Sequence, residues 1–243
     1  MELGGRVALV TGGGRRVGRA LAEALGRAGM RLAVHYNASA TGADDAVKAI
    51  RAAGGDAEVF HADLADAGSI APLVEAVRGR FGGLDVLVNS AAVMERTPLG
   101  SVTAEQWDAM FALNLRAPFL LSQAAAPLLG ERRGAIVNMA DLAAFESWPA
   151  YVPHGISKAG IVQMTRALAR VLAPAVRVNA IAPGAVLLPD DWDDASGEHL
   201  EQTTPLRRLG SPDDVVGAMM YLLAADYVTG ETIIVDGGRH VRA

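Results

Sequence analysis

Three stretches of the chain carry residues whose types and spacing suit chemistry. The first is a glycine-rich turn, Thr11-Gly12-Gly13-Gly14-Arg15-Arg16-Val17-Gly18, which follows an apolar run and opens a helical pattern. Glycine lets backbone approach a pyrophosphate closely, and a helix N-terminus favours the anion. The bland alternative is a tight turn with no ligand, but the repeated strand and helix patterns that follow favour a dinucleotide. The second is Asp141, followed thirteen residues later by His154 and seventeen later by Lys158. Imidazole ordinarily titrates at about 6.5, so histidine exchanges protons near neutral pH. The alternatives are that His154 is a filler without a chemical task and that Lys158 is an exposed helix lysine. The third is His35-Tyr36-Asn37-Ala38-Ser39, at the end of the second apolar run. A carboxylate there would bind a ribose diol and select NAD. Tyr36 fills that position and repels no phosphate, so NADP is expected, with NAD as the other possibility.

These residues need a scaffold, and the pattern supplies one. Candidate strands lie at 6–10, 31–36, 57–61, 84–89, 135–139, 176–181 and 232–236. Most are continuously apolar, as parallel strands covered on both faces are. Helical patterns lie at 17–28, 42–53, 70–81, 104–129, 155–172 and 212–224. In one of them Ile70, Leu73, Val74, Val77 and Phe81 share a face before Gly82-Gly83 ends it. The alternation predicts one α/β domain over 1–243, a doubly wound seven-stranded parallel sheet flanked by helices. The stretch 186–210, with Pro189, Asp190, Asp191, Asp193, Asp194 and Gly197, reads as a surface loop or short helix suited to a substrate lid. Its acidic cluster contains no histidine and reads as solvated charge, so no metal site is expected.

Composition narrows the function classes. With 243 residues and 51% hydrophobic content, the chain can bury a sizeable core. It has no cysteine, which excludes disulfides, thiolate nucleophiles and cysteine metal ligands and fits a reducing cytoplasm. The start, Met1-Glu2-Leu3-Gly4-Gly5-Arg6, lacks the apolar stretch of a secretory signal. The weakly polar stretch 117–129 is interrupted by Ser122, Gln123 and Pro127 and is too short to span a bilayer. A net charge of −5 without a basic run argues against nucleic acid as a partner. A cytoplasmic protein acting on a small molecule, away from membranes, is expected.

Taken together, these segments resemble the short-chain dehydrogenase/reductase family, over nearly the whole chain. That resemblance implies a Rossmann fold. Arg16, where the family usually has glycine, and Asp141, where it usually has serine, are similar to the pteridine reductase branch. The resemblance places Gly12, Arg15, Arg16, Val17 and Gly18 on the cofactor phosphates, with Arg15 toward an adenosine 2′-phosphate. It assigns His35, Tyr36, Asn37 and Ser39 to the adenosine end, although Ala38 stands where that branch has a phosphate-gripping arginine. Asp63 and Leu64 would cradle adenine, Asn89 and Ala91 would pass the cofactor, and Pro183 and Gly184 would reach the nicotinamide carboxamide. Leu188 stands where a threonine is common.

The family's catalytic set maps onto Asn114, Asp141, His154 and Lys158. Asn114 would hold a relay water and Lys158 the nicotinamide ribose. His154 stands four residues before the lysine, where the family has tyrosine. An Asp141–His154 pair would then supply the proton, with Asp141 fixing the imidazole tautomer. Tyr151 is the lesser substitute donor. On the substrate side the resemblance points to Arg16 and to Met94, which replaces a stacking phenylalanine. Trp148 is a further candidate, and Phe145 is expected in the core. The implied activity is hydride transfer between a nicotinamide cofactor and a small carbonyl, imine or pterin-like compound. The competing reading is a non-catalytic nucleotide sensor or inactive subunit. A homotetramer or homodimer would form on the helices at 104–129 and 155–172.

Overall fold

The computed structural model describes residues 1–188 and 194–241. Its seven strands are β1 (Val7–Val10), β2 (Arg31–Tyr36), β3 (Ala57–His61), β4 (Val86–Asn89), β5 (Ala135–Met139), β6 (Arg177–Pro183) and β7 (Thr232–Val235). They form one parallel sheet in the order β3-β2-β1-β4-β5-β6-β7. The helices are α1 (Arg16–Arg27), α2 (Ala40–Ala52), α3 (Ile70–Phe81), α4 (Ala104–Phe111), α5 (Ala117–Glu131), α6 (Val152–Leu172), α7 (Asp194–Thr203) and α8 (Pro212–Ala224). The expected fold is therefore the observed one.

The continuous apolar runs have a direct cause. Along β1, Ala8 and Val10 enter one core with Leu21, Leu25, Val47 and Met219, whereas Val7 and Leu9 enter another with Val74, Val77, Phe81 and Leu121. Side chains alternate between the faces of a strand, so a strand covered on both faces needs apolar residues at every position.

Several boundaries and placements depart from the sequence reading. The helix expected over 104–129 is interrupted by a π turn, Ala112–Arg116, between α4 and α5. Helix α6 begins at Val152 rather than 155, because Pro153 is tolerated in a first turn, where its missing N–H would have no partner anyway. His154 is thereby inside the helix. Phe145, expected in the core, is 46% exposed, following a short 3-10 turn at Leu142–Ala144 that turns it outward. Within 186–210 the structure forms α7. Pro189, Asp190, Asp191 and Asp193 lie outside the described residues.

Candidate active site

The strand order places β1 beside β4, with the chain running outward from that pair in opposite directions on the two sides. Such a switch point opens a crevice at the carboxyl ends of the strands, where doubly wound folds bind ligands. The glycine-rich turn lies there. Thr11 Oγ1 accepts hydrogen bonds from Ser90 N at 2.9 Å and Ala91 N at 3.0 Å, which ties the turn to the end of β4. Gly12 has φ 65°, a left-handed conformation that costs glycine little. At Gly18 a Cβ would lie 2.3 Å from the Gly12 carbonyl oxygen. The glycine therefore lets α1 close onto the turn. Gly18→Ala is expected to cost about 1–3 kcal/mol by overpacking and to weaken dinucleotide binding, which thermal unfolding and a fluorescence titration would read.

His35 sits beneath this turn rather than in the crevice. Its Nδ1 accepts from Gly12 N at 3.2 Å and its Nε2 donates to the Ala62 carbonyl at 3.0 Å. Both ring nitrogens are used, and the side chain is a neutral strut between the turn and the segment after β3. Burial pushes its pKa from 6.5 down to about 4. Between those values the unfolded chain binds a proton that the folded chain does not, so stability is lost as pH falls from 6.5 toward 4. The loss amounts to about 3 kcal/mol. His35→Gln is expected to lower stability at pH 7 and to flatten this acid limb, as urea unfolding at pH 7 and pH 4.5 would show.

The other residues expected at the adenosine end divide into two groups. Tyr36 is half-buried with its ring centroid 5.3 Å from that of His61. Exposed Asn37 donates to Asp63 Oδ1 at 3.4 Å, and Ser39 precedes α2. Leu64 is buried in the core, and Asn89 is buried with its amide donating to Asn138 Oδ1 at 2.8 Å. Both side chains lie inside the protein, and Asn89 Oδ1 is left without a hydrogen-bond partner.

Arg15 is exposed and extended, immediately before α1. Arg16 has φ 49°, which is strained for a residue with a Cβ. Its guanidinium donates to the carbonyls of Leu187 at 2.9 Å and Leu188 at 3.1 Å. Arg16 thus joins the glycine-rich turn to the segment after β6. Pro183 ends that strand, and Gly184 N donates to Val235 O at 2.9 Å.

Asp141, His154 and Lys158, expected from the sequence to handle protons, converge where β4 and β5 end. Asp141 Oδ1 accepts from Ala143 N at 2.8 Å and caps the 3-10 turn. Lys158 and His154 lie one turn apart on α6 and are both buried. Lys158 Nζ donates to Met139 O at 2.8 Å. Burial pulls its pKa from 10.5 down to about 8, against the opposing pull of the Asp141 carboxylate.

His154 Nδ1 lies 3.2 Å from the Val93 carbonyl, which can only accept, so Nδ1 carries the hydrogen. Its buried Nε2 has no hydrogen-bond partner and faces Asp141 Oδ2 at 3.7 Å. The backbone of Val93, rather than Asp141 as expected from the sequence, bonds the protonated nitrogen. Asn114 is also committed to protein groups: Oδ1 accepts from Val93 N at 2.9 Å, and Nδ2 donates to Val93 O at 2.8 Å and Ser157 Oγ at 3.2 Å. Val93, Ser157 and the Met139 carbonyl are the site groups that sequence reasoning missed. A backbone carbonyl leaves no signal in residue identity.

Met94 is 41% exposed beside Val93 in the chain. Trp148 is half-buried, donates to Glu146 Oε2 at 2.9 Å and meets Tyr151 edge-on at 6.3 Å. No group of three or more His, Asp or Glu side chains among the described residues is arranged to hold a metal ion. No helix among them is long and apolar enough to cross a membrane. The glycine-lined turn and the orphaned Nε2 instead fit a dinucleotide and a second small molecule.

Comparison with known proteins agrees with this architecture. Residues 13–240 match the family model described as enoyl-(acyl carrier protein) reductase. The chain is 38% identical over 238 residues to a 3-oxoacyl-[acyl-carrier-protein] reductase of Synechocystis sp., covering 96% of each chain. Among solved structures it superposes on the angucycline C-6 ketoreductase LanV with bound NADP at a TM-score of 0.93 and 32% identity, covering 99% of this chain and 98% of that one. It superposes on a Serratia marcescens short-chain dehydrogenase/reductase at a TM-score of 0.92 and 32% identity, covering 99% of this chain and 100% of that one. With the parallel sheet, the glycine-rich turn and a match over nearly its full length, the chain belongs to the short-chain dehydrogenase/reductase family.

Proposed function

We propose that this protein is an NADP-dependent oxidoreductase acting on a small carbonyl, imine or pterin-like compound. The observation that carries the reading is the juxtaposition of Asp141, His154 and Lys158, with an unpartnered Nε2, at the strand ends beside the glycine-rich turn. When bound, the dinucleotide supplies or receives the hydride. Gly12, Val17 and Gly18 would accommodate its phosphates, Arg15 would meet a 2′-phosphate, and Tyr36, Asn37, Ser39 and Asp63 would surround the adenosine. Ala91, Pro183 and Gly184 would line its path toward Lys158, whose ammonium would hold the ribose.

His154 exchanges a proton at Nε2 with the acceptor heteroatom, and Asp141 stabilises the imidazolium. The name of the Synechocystis relative supports a carbonyl acceptor. The LanV complex, together with the absence of a carboxylate at Tyr36, supports NADP. The resemblance of Arg16 and Asp141 to the pteridine reductase pattern supports a pterin-like acceptor. Arg15→Glu is expected to weaken NADPH binding by at least about tenfold while changing NADH binding little, as paired titrations would show.

Two or four copies would assemble over α4, α5 and α6, where Trp107 and Phe119 are exposed. Sedimentation checks this. The central experiment is NADPH oxidation across dihydropterins, quinones, imines and ketones. Turnover with one class identifies the acceptor. Saturable NADPH binding without turnover for any of them would replace this reading with that of a nucleotide sensor or inactive subunit.

A further inference from the structure

The Val93 carbonyl accepts two hydrogen bonds, from Asn114 Nδ2 at 2.8 Å and His154 Nδ1 at 3.2 Å. Asn114 also accepts from Val93 N, so its amide grips both backbone groups of one residue. The π turn at Ala112–Arg116 carries Asn114, and such a turn re-aims a side chain that a regular helix would direct elsewhere. A third bond runs from Asn114 to Ser157 Oγ, whose hydroxyl donates to His154 O at 2.7 Å. Asn114 therefore holds both the carbonyl that receives the Nδ1 hydrogen and the helical turn that carries the imidazole.

The geometry at the other nitrogen follows from this. With hydrogen on Nδ1, the neutral ring presents a lone pair at Nε2 toward Asp141 Oδ2, 3.7 Å away. Nε2 is out of contact with water. Two acceptors facing each other repel unless a proton lies on one of them, and the buried nitrogen has no water to relieve it. Asp141 keeps 24% of its side chain exposed, against 3% for His154, so the carboxylate is the member of the pair that meets solvent.

We propose that Asn114, acting through the Val93 carbonyl, is a positioning residue that fixes the His154 hydrogen on Nδ1, so that Nε2 passes the proton to the acceptor and Asp141 restores it from solvent. This rests on the reading of the Asp141–His154 pair as the proton donor. In the reducing direction, hydride brings an electron pair to the acceptor carbon, and the adjoining oxygen or nitrogen takes the proton from Nε2. The N–H electron pair stays on nitrogen, and the imidazolium becomes a neutral ring that keeps its Nδ1 hydrogen. Asp141 then takes up a proton from bulk solvent, as the net reduction requires, and hands it to Nε2, closing the cycle.

The test is long-range proton–nitrogen NMR of the imidazoles in 15N-labelled protein, with the His154 signals assigned through His154→Gln. In the wild type the neutral ring is expected to carry its hydrogen on Nδ1. Asn114→Asp keeps the acceptor for Val93 N but loses the donor to Val93 O. It is expected to give a mixture of His154 tautomers and to lower kcat by at least about tenfold with little change in KM. Ser157→Ala removes one bond of Asn114 without touching Val93 and is expected to leave the tautomer as in the wild type. A wild-type ring protonated on Nε2 overturns the proposal whatever the variants do, as does an Asn114→Asp protein with unchanged tautomer and kcat. An Nδ1-protonated ring in a protein that turns over no acceptor overturns instead the donor reading beneath it.

Discussion

Replacing Lys158 with methionine is expected to cut turnover sharply while leaving the fold at neutral pH nearly as stable as the wild type. The amine is buried and its pKa is drawn down from 10.5 to about 8. Below pH 8 both folded and unfolded chains hold its proton, so the folded state bears the cost of a buried cation. Methionine removes that cost and also removes the bond from Nζ to Met139 O, a charge-assisted bond contributing about 1.5–3 kcal/mol. The two effects oppose each other and nearly cancel at pH 7.

Between pH 8 and 10.5 the unfolded chain holds a proton that the folded chain has released. The contribution of Lys158 to stability therefore rises with pH across that window, by about 3 kcal/mol. Wild type should gain on Lys158→Met by that amount in urea unfolding at pH 7.5 and pH 10. Turnover should fall by about 10²–10⁴-fold if, as proposed, the Lys158 ammonium grips the ribose. Equal pH slopes for the two proteins would show that the amine titrates in the fold as it does in water.

The second large effect is expected from His154→Phe. If Nε2 carries the reacting proton, kcat should drop by about 10²–10⁴-fold, with NADPH affinity unchanged, because the proposed function sets His154 against the acceptor and not the dinucleotide. The cost in stability should be small. Nε2 has no partner to lose, and Val93 O keeps its bond from Asn114. Presteady-state kinetics with whichever acceptor class supports turnover would separate the chemical step from binding. Undiminished turnover would remove His154 from the mechanism and direct attention to Tyr151, which lies immediately before α6.

The two substitutions differ in what they disturb. Lys158 is held by strand β5 through a backbone carbonyl, so its loss relaxes an electrostatic strain while removing the cation proposed to hold the ribose. His154 is held by the loop after β4, so its loss leaves the dinucleotide side intact. Low activity with preserved affinity in one variant, and low activity with weakened affinity in the other, would separate proton delivery from cofactor binding within one site.

Much of the scaffold was determined by local sequence. Seven apolar runs separated by helical patterns give the parallel sheet, because strands buried on both faces need apolar residues at every position. The glycine-rich turn was legible for a similar reason, since its contacts with α1 depend on missing Cβ atoms close together in the chain. The order Asp141, His154, Lys158 was readable as residue types, and the i, i+4 spacing of the last two already placed them on one helix face.

Tertiary structure decided what those types are bonded to. Asn114 and His154 both engage the backbone of Val93, 21 and 61 residues away. Their pairing depends on a π turn within what reads as a continuous helix. His35, placed by resemblance on the cofactor, spends both nitrogens on Gly12 and Ala62. Phe145, apolar and expected inside, is turned outward by the geometry of the preceding 3-10 turn. Sequence determines which groups are present and which local conformations they prefer. Which nitrogen of a histidine is free depends on carbonyls that distant segments bring within hydrogen-bonding reach, and a carbonyl is the same in every residue.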